Sequence, residues 1–185
     1  ALLILWGQSL KRRNRKRDYA RAISYFANSL HGSNTTADIL WDITDNVITR
    51  TDLVDCVIYL VDESGQSLVR VAVYGEKNAE EYGAANPAAI PMGEGVVGTA
   101  ARTQQTQVVP DTRLYPSYIP SQLLGRSEIA VPIIHDGKTL GVIDAEHPRK
   151  NFFKKHHLEL LSTIASISSS KIATAQQASE ILEKE

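Results

Sequence analysis

The stretch SEIAVPIIHDGKTLGVIDAEH, Ser127 to His147, constrains the fold most. Two apolar, β-rich runs flank Asp136-Gly137, a dipeptide that favours the tight turn joining antiparallel strands. Pro132 cannot donate to a ladder, so its strand is expected at an edge or a bulge there. A second pair has the same grammar. DCVIYLVD, residues 55–62, is followed by the turn ESGQ and by the alternating run SLVRVAVYG, residues 67–75. Hairpins joined by loops build an antiparallel sheet, whereas a doubly wound parallel sheet needs a helix between successive strands.

That conclusion bears on the glycines of IPMGEGVVGTAARTQQTQVVPD, residues 90–111. Gly93, Gly95 and Gly98 have the formal spacing G-x-G-x-x-G. A phosphate loop of the Walker type requires a lysine after its last glycine, and Thr99 stands there. A dinucleotide site requires a buried parallel strand just before the glycines, and the proline-containing loop NPAAIPM precedes them instead. The glycines are expected to bend the chain into a short helix over VVGTAART, followed by a short strand, TQVVP. Residues 76–89 read as a loop or short helix. DTRLYPSYIPSQLLGR, with two tyrosines and two prolines, reads as a long irregular segment, a kind that is often functional in compact domains.

Helical spacing marks both ends. Tyr19, Ile23, Phe26 and Leu30 predict a helix over about 8–30, broken at HGSN. Ala37, Leu40, Trp41, Thr44, Val47 and Ile48 predict a second amphipathic helix reaching about residue 50. From about 154 to 185 the chain lacks glycine and proline and predicts one long helix. It carries two stripes, one through Leu160, Ile164, Ile167, Lys171, Thr174, Ala178 and Ile181, the other through Leu161, Ala165, Ser168, Ile172, Ala175, Ser179 and Leu182. The first is expected to cover the sheet and the second, rich in small residues, to take a partner helix.

Composition excludes some functions. The formal net charge is −1, so nothing draws the chain as a whole toward nucleic acid. A single cysteine, Cys56, permits no internal disulfide and no cysteine-built zinc site. The first residues depart from this neutrality: ALLILW is apolar and KRRNRKR has six basic residues in seven. That order fits the cytoplasmic end of a membrane-spanning helix followed by positive-inside anchors.

The segments IPMGEGVVGTAARTQQTQVVPDTRLYPSY, SEIAVPIIHDGKTLGVIDAEHP and FFKKHHLELLSTIAS, in this order, resemble a GAF domain over about residues 35–173. The resemblance implies an α+β fold: a GAF/PAS-like antiparallel sheet of about six strands with flanking N- and C-terminal helices, and a ligand pocket on the opposite face under the loops. The flanks resemble those of GAF modules in membrane-bound sensor histidine kinases, although the chain has no phosphate-accepting histidine box and no ATP-binding glycine box. The expected organisation is a juxtamembrane basic helix at 1–31, with the end of a transmembrane segment at 1–6, then a sensor domain at 32–173 and the start of a signalling helix at 174–185. The expected location is the cytoplasmic face of the inner membrane, with homodimerisation through the terminal helices.

Three kinds of GAF chemistry can be compared with the residues. Cyclic-nucleotide GAF domains share an N-K…F…D-E signature, and Lys154 to Leu158 supply no acidic pair after Asn151 and Phe153. Bilin-binding members attach their chromophore through a cysteine near the irregular loop, whereas Cys56 lies on the first strand. Free methionine-(R)-sulfoxide reductases resemble the chain in GEGVVG and SEI. Where that family carries cysteines, this chain has Val97 and a residue near Ser121, neither of which can do thiol chemistry. That family's acidic cluster for the substrate's amino group matches Glu128, Asp144 and Glu146. Asp144 and Glu146 lie two apart on a strand and so face the same way. Asp111, Tyr115 and Tyr118 are expected to close the pocket from the loop. In the alternative reading, Asp144 accepts from loop N–H groups, Glu146 is solvated, and the loop residues do turn chemistry and packing.

The expected function is a non-catalytic sensor of a small molecule, cationic or amino-acid-like, transmitting through paired helices. No catalytic residue, metal, cofactor or nucleic acid is expected. The alternatives are a ligand-free dimerisation spacer and a redox enzyme of the reductase type.

Overall fold

The computed structural model describes residues 17–30, 35–47, 51–75, 89–119 and 125–182. The expected transmembrane end at 1–6, most of the basic run, the loop at 76–88 and Ser121 lie outside these residues. Among the described residues no helix is long and apolar enough to cross a membrane.

Six strands form one sheet. They are β1 (Asp55–Val61), β2 (Ser67–Gly75), β3 (Ala89–Pro91), β4 (Gln107–Val109), β5 (Ser127–His135) and β6 (Lys138–His147), in the order β3-β2-β1-β6-β5-β4. Every neighbouring pair is antiparallel. Both hairpins read from the sequence are present, β1–β2 and β5–β6. Pro132 pairs with Val142 on β6, and β4 reaches only as far as Ala130. The missing N–H of Pro132 therefore lies where β5 has no second neighbour.

Among the described residues there are four α-helices: α1 (17–29), α2 (Thr36–Trp41), α3 (Gly95–Thr103) and α4 (Lys155–Leu182). Alternation along the strands divides the core in two. Cys56, Ile58, Leu60, Ile129, Val131, Ile133, Ile143 and Ala145 face Phe26 of α1 and Leu30 just after it, Ile39 and Leu40 of α2, and Leu160, Leu161, Ile164 and Ile172 of α4. On the other face Val57, Tyr59, Leu68, Ala130 and Val142 meet Val96, Val97, Ala100 and Ala101 of α3. Fully burying one such aliphatic side chain contributes about 1.5–3 kcal/mol.

Three helical expectations change. α2 begins at a capping box in which the Thr35 side chain accepts from the Asp38 N–H and the Asp38 carboxylate accepts from that of Thr35. After Trp41 it widens into a π-helical turn, Asp42–Val47. Leu40 and Thr44 of the predicted stripe are buried, beside Ile39 and Ile43, while Ala37 and Trp41 are exposed, so only part of the stripe faces the core. In α4 most of the second stripe is covered: Leu161, Ala165, Ser168, Ile172 and Ala175 are buried within the chain, while Ser179 and Leu182 at its far end are exposed. The long helix is thus wedged between the sheet and the other terminal elements rather than laid on the sheet alone.

The glycine stretch shapes backbone. Gly95 opens α3 at φ +60°, a region L side chains avoid. A Cβ at Gly98 would come 2.4 Å from the carbonyl oxygen of Pro91. This approach lets the Gly93 N–H reach the Gly98 carbonyl at 2.8 Å and folds α3 back onto β3.

Candidate functional site

Glu128 on β5 and Asp144 and Glu146 on β6 project to the α3 face, where their strand neighbours are apolar. All three are buried, at 4–5% exposure. Each offers a carboxylate oxygen within 4.8 Å of the others. They line a small cavity with Val57, Tyr59, Ile90, Glu94, Gly95, Val96, Val97 and Ile119. Its free volume is about 20 Å³, room for about one water molecule.

Supports are built in on two sides. Tyr118 donates from its hydroxyl to Glu146 Oε1 at 3.2 Å. Asp55, at the start of β1 and itself buried, accepts from the Glu146 N–H at 2.6 Å. Oε2 of Glu128 and Oδ1 of Asp144 are buried, and no N–H or hydroxyl group of the described residues donates to them.

Burial, followed by the negative charge of Glu146, pushes the Glu128 carboxyl well above the usual carboxylate range. Asp144 is pushed the same way, first by burial and then by the charges of Glu128 and Glu146. The two carboxyls also hydrogen-bond to each other, an arrangement that favours the proton on Asp144. The site therefore combines an apolar wall, buried carboxyl oxygens and a hydrogen bond between Glu128 and Asp144. It fits a ligand with a positive head and an apolar tail.

Glu128, Asp144, Glu146 and Val97 line this cavity, and Tyr118 touches it through Glu146. Asp111 stands elsewhere, at the cap of the 3-10 turn Thr112–Leu114. It is held by Arg113 at 2.9 Å and Lys150 at 2.6 Å, in a separate surface groove that Tyr115 also lines. The Arg113 guanidinium, then Lys150, holds the Asp111 carboxyl far below its ordinary range. Its place after proline reflects turn and ion-pair chemistry, not the pocket. Asp55, Glu94 and Ile119 were missed. An aspartate opening a wholly apolar strand was a signal available for Asp55.

Cys56 is fully buried on the opposite face of β1, among the residues packed against α4. Burial, then the Asp55 charge, raises its thiol well above the usual range. It neither lines the cavity nor carries a thiolate.

The GAF domain family model matches residues 33–173. The chain belongs to the GAF domain family. It is 49% identical over 75 residues to the free methionine-R-sulfoxide reductase of Saccharomyces cerevisiae, a match covering 36% of this chain and 42% of that protein. A free methionine-R-sulfoxide reductase of Escherichia coli is 33% identical over 57 residues, covering 31% of this chain and 34% of that protein. Among solved structures, free methionine-R-sulfoxide reductase from Neisseria meningitidis in complex with its substrate superposes with a TM-score of 0.77. That pair is 26% identical and covers 86% of this GAF chain and 91% of the other. The chain spans less than half the length of the curated relatives it matches.

These comparisons correct the expectation of a non-catalytic sensing module, and with it the expectation that this segment is not an enzyme. Two of the relatives and several of the solved structures that the chain matches are named as free methionine-R-sulfoxide reductases. They lend no support to the histidine-kinase setting. The expectation rested on the absence of cysteine at Val97 and near Ser121, whereas the acidic trio and its apolar wall form without a thiol there.

Proposed function

We propose that this GAF chain binds a free amino acid of the methionine sulfoxide type and promotes its reduction by a thiol supplied from outside the chain. The observation that carries the reading is the buried trio Glu128, Asp144 and Glu146 facing an apolar wall, in a chain whose relatives are named for that reaction. Glu128 and Glu146 take the ammonium group, which supplies the counter-charge two facing carboxylates lack. Val57, Val96, Val97 and Ile119 receive the side-chain methylenes. Asp144, whose carboxyl burial and the neighbouring carboxylates push upward, is the group able to protonate the sulfoxide oxygen.

The electrons come from two external thiols. One thiolate attacks the sulfoxide sulfur as the oxygen takes up protons and leaves as water. The second thiol attacks the resulting sulfur–sulfur bond, releasing the thioether and a disulfide. Because the cavity holds about one water, entry of substrate requires Ile119 and Tyr118 to move aside. Incubating the protein with L-methionine-R-sulfoxide and dithiothreitol tests the reading. Methionine is expected above the rate without protein, with that excess lost in Asp144→Asn. No protein-dependent methionine, together with no calorimetric heat of sulfoxide binding, overturns it.

A further inference from the structure

We propose that the connector between β6 and α4, residues 148–154, is an acid-sensitive latch, held shut by the neutral imidazoles of His147 and His157. The inference goes beyond the reductase reading and does not depend on it. Both rings are buried, at 5% and 2% exposure. Each uses Nδ1 to accept a backbone N–H of the connector. Arg149 donates to His147 at 3.0 Å, and Lys154 donates to His157 at 2.9 Å. Both rings also pack on Phe152, with centroids 3.5 Å and 4.8 Å away. One pair of titratable side chains therefore pins the connector at both ends and at its middle.

Charge opens it. A neutral imidazole accepts at one nitrogen, whereas an imidazolium donates from both. A proton added at Nδ1 sets N–H against N–H, so each backbone bond is lost and its donor faces another donor. Among the described residues, the charged and titratable groups around the rings are few. Tyr19 of α1 and His156 of α4 lie against His157, at 6.2 Å and 4.0 Å between centroids. Arg149 stands 5.3 Å from the Phe152 centroid. Lys155 pairs with Glu159 at the start of α4, whose first turn contains no acidic residue, and a helix N-terminus disfavours added positive charge. Asp52 is the acid of the group. It faces Nε2 of His157 at 3.3 Å, which leaves the conflict at Nδ1 in place.

The latch holds the base of a loop at the acidic cavity. The Asn151 N–H donates to the Pro110 carbonyl at 2.9 Å, Lys150 Nζ lies 2.6 Å from Asp111, and the Ser127 hydroxyl donates to the Arg149 carbonyl at 2.8 Å. Pro110 and Asp111 lead into the segment carrying Tyr118 and Ile119. Histidine is the side chain that ordinarily changes charge between about pH 5 and pH 8, so acid reaches the connector through these two rings. Burial, followed by the Arg149 charge, lowers His147 below the usual imidazole range. Such a histidine binds fewer protons folded than unfolded. Its contribution to stability is present above its ordinary value near 6.5 and is lost as pH falls from there through the folded one.

Hydrogen–deuterium exchange of the ligand-free protein, read by NMR and corrected for the intrinsic pH dependence of amide exchange, tests the latch. Protection of the Arg149 and Lys154 amides should fall about tenfold between about pH 7.5 and pH 5, the scale of one lost hydrogen bond. The Gly93 amide, held by the Gly98 carbonyl, should keep its protection. Imidazole ¹⁵N resonances should show Nδ1 taking up its proton over the same interval. Asparagine places an oxygen near the position of Nδ1 and does not charge in this range. His147→Asn and His157→Asn should therefore each retain protection in acid at its own amide, with a cooperative thermal melt confirming folding. Wild-type protection that does not change with pH overturns the proposal without any variant. So does a loss of protection while both Nδ1 atoms remain unprotonated, or a loss in the folded Asn variants equal to that of the wild type. Because neither substrate nor thiol enters the readout, failure here and failure of the reductase reading are separate results.

Discussion

Glu128 and Glu146 stand directly opposite one another in the β5–β6 ladder, both buried. Like charges in that relationship oppose sheet pairing, so the fold tolerates them through a held proton or a bound cation. Glu128→Gln is therefore expected to stabilise the ligand-free protein at pH 8, by about 1–3 kcal/mol. The sign of the pH dependence follows. A carboxyl whose folded pKa is raised binds more protons in the native than in the unfolded state, so stability falls as pH rises above its ordinary range near 4.5. Denaturant titrations from pH 4 to pH 8 should show the wild type losing stability that Glu128→Gln keeps. Equal slopes for the two proteins would contradict this account.

Glu146 is fixed in part by what Gly125 lacks. A Cβ at Gly125 would fall 2.5 Å from Glu146 Oε2 and 2.9 Å from its Cβ. Gly125→Ala should displace that carboxylate and weaken amino-acid binding by about tenfold, equivalent to about 1.4 kcal/mol, while leaving the strands paired. Isothermal titration with L-methionine sulfoxide, beside a circular dichroism spectrum, checks both halves.

Cys56 is predicted to be a spectator. Its thiol is buried and kept protonated, so a thiol reagent at pH 8 should label it only on unfolding. Cys56→Ala should retain the thiol-driven turnover of the wild type, at a stability cost of about 1 kcal/mol for the lost packing. Loss of turnover in a folded Cys56→Ala protein would place the redox chemistry inside the chain.

The hairpins, the six-stranded antiparallel sheet and the long last helix were legible because period-2 and period-3.6 patterns each bury one face. The acidic trio was legible through its motif and through the two-residue spacing of Asp144 and Glu146. What failed depended on neighbours distant in sequence. Trp41 matched a helical stripe, yet the π-helical turn after it and the packing of Ile39 and Ile43 put the indole outside. Asp111 reads as a loop carboxylate of any purpose until Lys150, thirty-nine residues on, is seen against it. Ser168 and Ala165 read equally well as a surface for another chain or as the floor of this one.

The last prediction concerns the junction of the terminal helices. His157, in the first turn of α4, accepts the Lys154 N–H at its Nδ1, 2.9 Å away, which leaves Nε2 to carry the hydrogen. Nε2 lies 3.3 Å from Asp52 Oδ1, and the Tyr19 hydroxyl of α1 donates to the same oxygen at 2.5 Å. Three segments distant in sequence thus meet on one carboxylate. The His157 hydrogen bond, followed by that of Tyr19, holds Asp52 far below its ordinary range. A depressed carboxyl contributes stability above its unfolded value near 3.8 and loses it as pH falls further. Because the Asp52 side chain is 44% exposed, solvent screening limits its contribution to about 1 kcal/mol or less. Asp52→Asn should therefore unfold at slightly lower denaturant than the wild type at pH 7, and the gap should narrow as pH falls below about 4. Tyr19→Phe should show a similar loss, and combining the two should cost less than the sum of the single changes, since both remove one shared contact. Strict additivity in that double-mutant cycle would show that α1 and α4 are not coupled through Asp52.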